Sequence, residues 1–438
     1  MARFSTQEFT VHVGGLVPGF DAAAASDDNP ATSLCTVFAV RAAREAWQDA
    51  GLPAHIDGQA RARIALVLGT SSGDKVEMPH RLTASIGTAL DINGPRVMVS
   101  TACSSSTGAI GLACDLLQMG VADIVLAGGV DVLTPEIFAG FHALGLLSPQ
   151  GCAPFGLPEG TTMAEGAGVL VLERARSAAG RGARCHARIL GYGLSADAYH
   201  PSTPDPTGAG VARALNAALL HAGITADQID YVNAHGTGTA TNDPAEWRAL
   251  CRVFGGRSAQ VPVTSLKGHL GHAQGAAGVL ELIGSVAGLR DGLIPPTLHF
   301  SRPRLNGPTD VVHGDTPRPR AHQVVACCNS AFGGHNAAVI LAAPAPDVPS
   351  TRTQTRRQVW VTGAAAVGAF GLDVGVLSSA LRNRAPVAGR VSTLHIEKLC
   401  PGVDPRGLDP TATYLLAACA AALGDARVTL RGPLLAAL

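Results

Sequence analysis

Short apolar runs alternate along most of this chain with segments in which apolar residues recur every three or four positions. Runs of the first kind are typical of buried strands, and segments of the second kind are typical of amphipathic helices. The predicted strands are 64–68, 97–101, 124–127, 169–172, a strand from 189 onward, 229–234, 261–265, 324–328 and 337–341. Helical patterns lie between several of them, at 32–49, 210–222 and 244–254. Alternation of this kind indicates a layered α/β fold.

Composition narrows the classes of function. A chain of 438 residues can bury a large core and allows two or three domains. The formal net charge is zero and there is no long basic run, so we do not expect a nucleic-acid partner. The ten cysteines show no paired spacing of a disulfide framework or zinc ribbon. With neither a signal-peptide pattern nor an apolar stretch of membrane-spanning length, we expect a reducing, cytoplasmic setting.

Cys103 lies where a predicted strand turns into a predicted helix. The strand pattern ends at Thr101, and after Cys103 apolar residues recur at 109/110, 113 and 116/117. The partial positive charge of a helix N-terminus favours a thiolate, and its unpaired N–H groups can hold an oxyanion. Cys103 is therefore a candidate nucleophile. The alternative is a small buried core residue, which most of the ten cysteines must be.

Two later segments carry histidines at similar corners. One is an apolar run ending at His235, and the other runs from 261 through a Gly-rich corner containing Lys267, His269 and His272. Each histidine could be a hydrogen-bonded structural residue. His269 and His272 are three positions apart, but no carboxylate or cysteine lies nearby at ligand spacing, so we expect no metal site.

Together these segments resemble the Cys-His-His condensing enzymes of the thiolase-like superfamily, namely the β-ketoacyl-ACP synthases and polyketide ketosynthases. The resemblance extends from about residue 9 to 341 and keeps the family's motif order. It rests on Thr-Ala-Cys-Ser-Ser-Ser at 101–106, Asn-Ala-His-Gly-Thr-Gly-Thr at 233–239, Lys267 with His272, Asp243 with Glu246, the segment 163–173, and Asn-Ser-Ala-Phe-Gly-Gly-His-Asn at 329–336.

The resemblance implies a duplicated α/β/α/β/α fold in five layers. Its first half would be residues 1–180 and its second half 181–343, with the break near 174–187. Cys103 would come from one half and both histidines from the other.

The resemblance also implies a role for each site residue. Cys103 would take the acyl group, and the backbone N–H groups of Cys103 and Phe332 would form the oxyanion hole. Phe332, beside Gly333, would be a mobile gate over the nucleophile. His235 and His272 would donate hydrogen bonds to the malonyl thioester. Lys267 would orient this cluster, with Glu246 as its partner and Asp243 in support. The alternative for Asp243 and Glu246 is a pair at a helix N-terminus that begins with Pro244.

The two ends of the chain depart from the family pattern. Residues 344–358 are rich in Pro, Thr and Arg and are interpreted as a linker. Residues 359–363, Val-Trp-Val-Thr-Gly, match the strand that normally opens a family member, and 409–426 resembles the helix at 31–51. Either 359–363 fills a gap in the first-half sheet or 359–438 begins a second ketosynthase-like unit. The repeated helix favours the second explanation. If the strand is central, an empty place would leave two unpaired edges.

By resemblance, the expected function is an elongating ketosynthase that condenses carrier-protein thioesters in fatty acid or type II polyketide biosynthesis. The alternative is a non-catalytic partner similar to a chain length factor, against which Cys103 argues. Thiolases and priming synthases share the fold, but they differ from this chain at the histidine segment, and the Lys267/His272 pair argues against them. The expected partners are an acyl carrier protein and a second ketosynthase chain, identical or paralogous. We expect no metal and no organic cofactor.

Overall fold

The computed structural model describes residues 4–19, 33–73, 79–321, 323–344 and 360–368, and then 372, 379, 382–383, 391, 394–400 and 403–428. The chain divides into two units, Met1–Val348 and Pro349–Leu438. Within the described residues, no helix combines the length and the apolar character needed to cross a bilayer.

Nine strands of the first unit correspond to the predicted ones, with ends that differ by a few residues. The described strands are β1 Ile64–Gly69, β2 Arg96–Val99, β3 Ile124–Asp131, β4 Gly166–Glu173, β5 Arg188–Ala196, β6 Tyr231–Asn233, β7 Val263–Thr264, β8 Leu293–Ile294, β9 Arg318–Pro319, β10 Val324–Ser330 and β11 His335–Ala342. The two short strands β8 and β9 are not predicted by the sequence. Strand β1 is buried along its whole length, as its continuous apolar sequence predicts for a parallel strand covered on both faces.

The helices lie between these strands. They are α1 Leu34–Asp49, α2 Gly58–Arg61, α3 Pro79–Ala89, α4 Ser105–Gln118, α5 Pro135–Ala143, α6 Ala175–Gly180, α7 Ala209–Ala222, α8 Asn242–Phe254, α9 Lys267–Leu270 and α10 Ala277–Asp291. Local sequence sets several of their ends. The Ser33 side chain accepts a hydrogen bond from Thr36 N and caps α1, whereas Gly223 ends α7 in the left-handed conformation.

Two mixed sheets organise the unit. The first has the order β2-β1-β3-β4, and the second has the order β7-β6-β10-β11-β5. In each sheet the first three of these strands are parallel, and the next one, β4 or β11, pairs antiparallel. The two sheets therefore repeat one topology, as expected for a duplicated fold.

Helices fill three layers around the sheets. Helices α4 and α10 pack between the two sheets, in a core built from residues such as Ile110, Leu282 and Val339. Helices α1 and α3 cover the other face of the first sheet, and α7 and α8 cover the other face of the second. The order helix, sheet, helix, sheet, helix confirms the predicted five-layer α/β/α/β/α architecture.

The two sheets differ at one edge. Strand β5 pairs antiparallel with β11, whereas no strand among the described residues pairs with the outer side of β4. A counterpart of β5 in the first sheet would therefore lie at the edge beside β4. An empty place at that edge would leave one unpaired edge rather than the two considered for a central strand.

The second unit contains α11 Ile396–Leu399 and α12 Pro410–Asp425. Asp409 caps α12 by accepting hydrogen bonds from Thr411 N and Ala412 N at 2.7 and 3.0 Å. Residues 360–367 are not in a strand, and Ala364 N donates to Asp425 Oδ2 at 2.9 Å, so this segment lies against α12. Residue 359 and all of the predicted linker except Pro344 lie outside the described residues.

Candidate active site

The nucleophile candidate lies on a tight corner between β2 and α4. Ala102 has φ +47°, a strained value for a residue with a Cβ, and Ala102–Ser104 form a 3-10 turn. Ser105 Oγ secures this turn by donating to Ala102 O at 2.6 Å and accepting from Thr101 N at 2.9 Å. The corner therefore fixes the position of the Cys103 sulfur, which is buried.

Burial dominates the electrostatics of Cys103. It raises the pKa of the thiol to about 12, while the charge of Lys267 and the backbone N–H groups of Phe332 and Cys103 oppose this rise. A helix N-terminus therefore does not make this cysteine a thiolate where burial opposes ionisation, contrary to the simplest expectation. The backbone N–H groups of Phe332 and Cys103 both act to lower the pKa of the thiol, so they are placed to stabilise an oxyanion formed beside the sulfur.

His235 and His272 meet Cys103 in one cavity. His235 follows β6, and His272 follows α9; their ring centroids are 5.3 Å apart with nearly perpendicular planes. A cavity of about 60 Å³ is lined by these three residues, Phe141 and Phe332, among others. The fold thus brings together residues from both halves, as predicted.

Both imidazoles are neutral near pH 7. Burial lowers the pKa of His235 and of His272 well below the ordinary value, and the positive charge of Lys267 lowers both further. Lys267 Nζ lies 3.2 Å from Nδ1 of His235. Because an ammonium can only donate, Nδ1 is the acceptor and the ring proton of His235 is on Nε2.

Lys267 has a different partner from the one predicted. Its ammonium forms a buried ion pair with Glu281 on α10, not with Glu246. Asn329 Nδ2 donates to the second oxygen of this carboxylate at 2.7 Å. The sequence signal for Glu281 is a single carboxylate amid the apolar residues of a helical segment, which is also the pattern of an ordinary exposed glutamate.

Glu246 and Asp243 instead hold the backbone around His235. Glu246 accepts from the N–H groups of His235 and Gly236 at 2.6 and 2.8 Å, and burial raises its pKa to about 7. Asp243 accepts from Phe155 N and Gly238 N at 2.7 and 3.1 Å. Helix α8 begins at Asn242, so Pro244 is its third residue rather than its first.

Phe332 lines the cavity beside Cys103. Its ring stacks on Phe141 with centroids 5.5 Å apart and an interplanar angle of 17°. The cavity volume of about 60 Å³ leaves little room for an acyl chain between these rings and the sulfur. Gly333 has φ +82°, a value that allows the backbone beside Phe332 to take conformations closed to other residues.

His269 lies outside this cluster. Its Nε2 is 2.7 Å from Pro296 O, which is the hydrogen-bonded structural role considered above. No group of three or more histidine, cysteine or acidic side chains suited to a metal ion occurs in the described part of the chain.

A buried thiol flanked by oxyanion donors and two neutral imidazoles is the arrangement of a thiol-dependent acyl-transfer site. Comparison with known proteins gives the family. Residues 5–178 match the N-terminal domain of β-ketoacyl synthases and residues 186–301 match the C-terminal domain. The chain belongs to the β-ketoacyl synthase family, which confirms the resemblance read from its motifs.

Three relatives illustrate the similarity. A 3-oxoacyl-(acyl-carrier-protein) synthase 2 of Vibrio cholerae is 32% identical over 77% of this chain and 90% of its own length. The structure of the ishigamide ketosynthase/chain length factor is 34% identical with a TM-score of 0.74, covering 79% of this chain and 91% of the other. The ketosynthase AntDE bound to the acyl carrier protein AntF is 26% identical with a TM-score of 0.69, covering 77% and 89%.

Proposed function

We propose that this protein is an elongating β-ketoacyl synthase that condenses an acyl chain on Cys103 with a malonyl group on an acyl carrier protein. The pathway would be fatty acid or type II polyketide biosynthesis. The observation that carries the proposal is the convergence of Cys103, His235 and His272 on one buried cavity. The similarity to a 3-oxoacyl-(acyl-carrier-protein) synthase 2 over most of both chains supports it.

In the first half-reaction, Cys103 Sγ attacks the thioester carbon of the acyl carrier protein. A sulfur–carbon bond forms, and the tetrahedral oxyanion is held by the N–H groups of Cys103 and Phe332. The carrier thiol then leaves with the proton that Cys103 gave up. Because burial raises the pKa of the Cys103 thiol, proton removal is coupled to attack rather than completed beforehand.

In the second half-reaction, His235 and His272 donate hydrogen bonds to the malonyl thioester carbonyl. The bond to the carboxylate carbon breaks, carbon dioxide leaves, and the electron pair forms an enolate whose oxygen these donors stabilise. The enolate carbon attacks the acyl carbon, the bond from that carbon to sulfur breaks, and Cys103 leaves as a thiolate that takes a proton from solvent. Neutral imidazoles suit this step because each keeps one N–H donor, and Lys267 fixes the proton of His235 on Nε2.

We propose that Phe332 and Gly333 form a gate over Cys103. The stacked Phe141–Phe332 pair and the small cavity support this, since displacement of the Phe332 ring would enlarge the space beside Cys103. Gly333→Ala would strain the left-handed backbone at this position, so we expect slower acylation; Ala331→Gly, at an extended residue, is the matched control.

A non-catalytic role similar to a chain length factor is the second candidate. It is favoured by the similarity to the ishigamide ketosynthase/chain length factor and opposed by the intact Cys103 site. The same relative and the AntDE:AntF complex support the partners that we propose for this chain, an acyl carrier protein and a second ketosynthase chain, identical or paralogous. The ten free cysteines support a reducing, cytoplasmic location.

We also propose that residues 359–438 begin a second ketosynthase-like unit. The contact of residue 364 with α12 supports this, because it places the strand-like sequence against the helix that resembles α1. The division of the chain at residue 348 is consistent with it. Limited proteolysis with mass spectrometry tests the boundary, since cleavage within 344–358 should release two protected fragments.

The central experiment supplies the purified chain with acyl- and malonyl-loaded carrier protein. We expect an acyl adduct on Cys103, release of carbon dioxide and a 3-oxoacyl carrier protein, all followed by intact mass. Activity that appears only after addition of a paralogous ketosynthase chain would show a heterodimeric enzyme. An inactive chain that instead restores activity to a paralogue lacking its partner would favour the chain-length-factor role.

A further inference from the structure

We propose that Thr107 is a positioning residue for decarboxylation, because its hydroxyl fixes the amide of Asn329 and, through it, the Glu281–Lys267–His235 cluster. Thr107 lies on α4, the helix that follows Cys103, whereas the cluster belongs to the other half of the fold. The inference rests on the proposed roles of His235 and Lys267, and it adds a residue that reaches the histidine side of the site from the nucleophile side.

The geometry begins with a buried threonine. Thr107 is 1% exposed, and its Oγ1 donates to Oδ1 of Asn329 at 2.6 Å. An amide oxygen that accepts from a hydroxyl leaves the amide NH₂ group on the opposite side. That group donates to Glu281 Oε2 at 2.7 Å and lies 3.5 Å from Nδ1 of His235. Thr107 therefore selects which end of the Asn329 amide faces the ion pair.

The chain is built to bring these groups together. An added Cβ on Gly278 would lie 2.0 Å from Thr107 Oγ1 and 2.9 Å from Asn329 Oδ1, so only glycine fits at this position of α10. Beside it, Ser106 Oγ accepts from Val279 N at 3.0 Å. Adjacent side chains of α4 thus contact the first turn of α10, and the hydroxyl of Thr107 is held at a fixed place.

Loss of this hydroxyl would act on the proton of His235. Without the donor, Asn329 Oδ1 is buried and unpaired, an unfavourable state that rotation of the amide can relieve. Rotation would withdraw the Asn329 N–H from Glu281. The carboxylate, with one donor fewer, would then attract the Lys267 ammonium more strongly, away from His235. His235 Nδ1 would then lose its ammonium donor, and the tautomer with the proton on Nε2 would no longer be selected.

The test compares Thr107→Val, which keeps the shape and removes the hydroxyl, with Thr107→Ser, which keeps the hydroxyl. Carbon dioxide release from malonyl-loaded carrier protein is measured from pH 6 to 9, and acylation of Cys103 is measured by intact mass. We expect Thr107→Val to lower decarboxylation about 10-fold and to change its pH profile, the loss expected for one hydrogen bond of about 1.4 kcal/mol. Thr107→Ser should stay within about twofold of wild type, and acylation should change by less than about twofold in both.

Two controls keep the outcome decisive. Thr83→Val removes another buried threonine hydroxyl, on α3 and away from the cavity, and should change neither half-reaction. Thr107→Ala serves if the valine variant does not fold. Wild-type decarboxylation in Thr107→Val, or equal losses of acylation and decarboxylation, would overturn the inference. If the wild-type protein shows neither acylation nor decarboxylation, the proposed function is wrong, and this inference fails with it.

Discussion

The two halves of the fold share a topology but place different chemistry at equivalent corners. Strands β2 and β7 occupy the same edge of their sheets, and each leads through a corner towards a central helix, α4 or α10. The first corner carries Cys103 among alcohols and backbone N–H groups. The second carries Lys267 and His272, joined to a buried ion pair. Duplication thus supplies one geometry twice, and the side chains divide nucleophilic attack from charge stabilisation.

Replacing the nucleophile should abolish the chemistry of the first half and leave that of the second half largely intact. Cys103→Ala removes the sulfur, so we expect acylation to fall by at least about 10⁴-fold, because no other group in the cavity replaces a thiol. Decarboxylation should stay within about fivefold, since the histidine cluster is untouched. Intact mass and carbon dioxide release measure the two reactions. Cys35→Ala, a buried cysteine on α1, is the control; a persisting acyl label in Cys103→Ala would refute the assignment.

Replacing the histidines should give the opposite pattern. His235→Ala and His272→Ala each remove one donor to the enolate oxygen, a loss that typically slows catalysis about 10²- to 10³-fold. Acylation of Cys103 should change little, within about threefold. The matched control is His269→Ala, three residues from His272 but bonded to Pro296 O. Undiminished carbon dioxide release from both variants would defeat the roles assigned to these rings.

The comparison also explains what the sequence could predict. Cys103 and His235 are predicted because each follows an apolar strand within a motif of the family, and His272 because it lies with Lys267 in a family motif at a Gly-rich corner. The layers are predicted from alternating patterns. Glu281 was missed because its partnership with Lys267 depends on how α10 packs, which no local pattern contains. The thiolate expectation for Cys103 had the same weakness, since a helix N-terminus is visible in sequence whereas complete burial is a property of the fold.

The stability of the second half should depend on its buried ion pair. Glu281→Gln leaves Lys267 without its counter-ion, and breaking a buried pair typically costs about 3–5 kcal/mol. We therefore expect a fall in melting temperature of roughly 5–15 °C, measured by differential scanning calorimetry. Glu45→Gln breaks an exposed pair with Arg41 and should change it by less than about 2 °C. Equal melting temperatures for both variants would mean that the buried pair does not stabilise this half.

The smallest effect concerns the pH dependence of stability, where two buried histidines and one buried glutamate of the second half act in opposite directions. The pKa values of His235 and His272 are below their ordinary 6.5, so the unfolded chain binds protons that the folded protein cannot, and their contribution to stability is lost as pH falls. The pKa of Glu246 is raised from 4.5 to about 7, so its contribution is present at low pH and is lost as pH rises through 7.

These signs can be separated by variants. Each proton of difference changes the free energy of unfolding by at most about 1.4 kcal/mol per pH unit. Between pH 7.5 and 5.5 we expect the melting temperature of Glu246→Gln to fall more than that of wild type, because the opposing group is gone. His272→Gln should fall less, because one acid-sensitive group is gone. If all three proteins show parallel pH dependence, burial of these groups does not set their protonation, and the neutral imidazoles required for decarboxylation would need another cause.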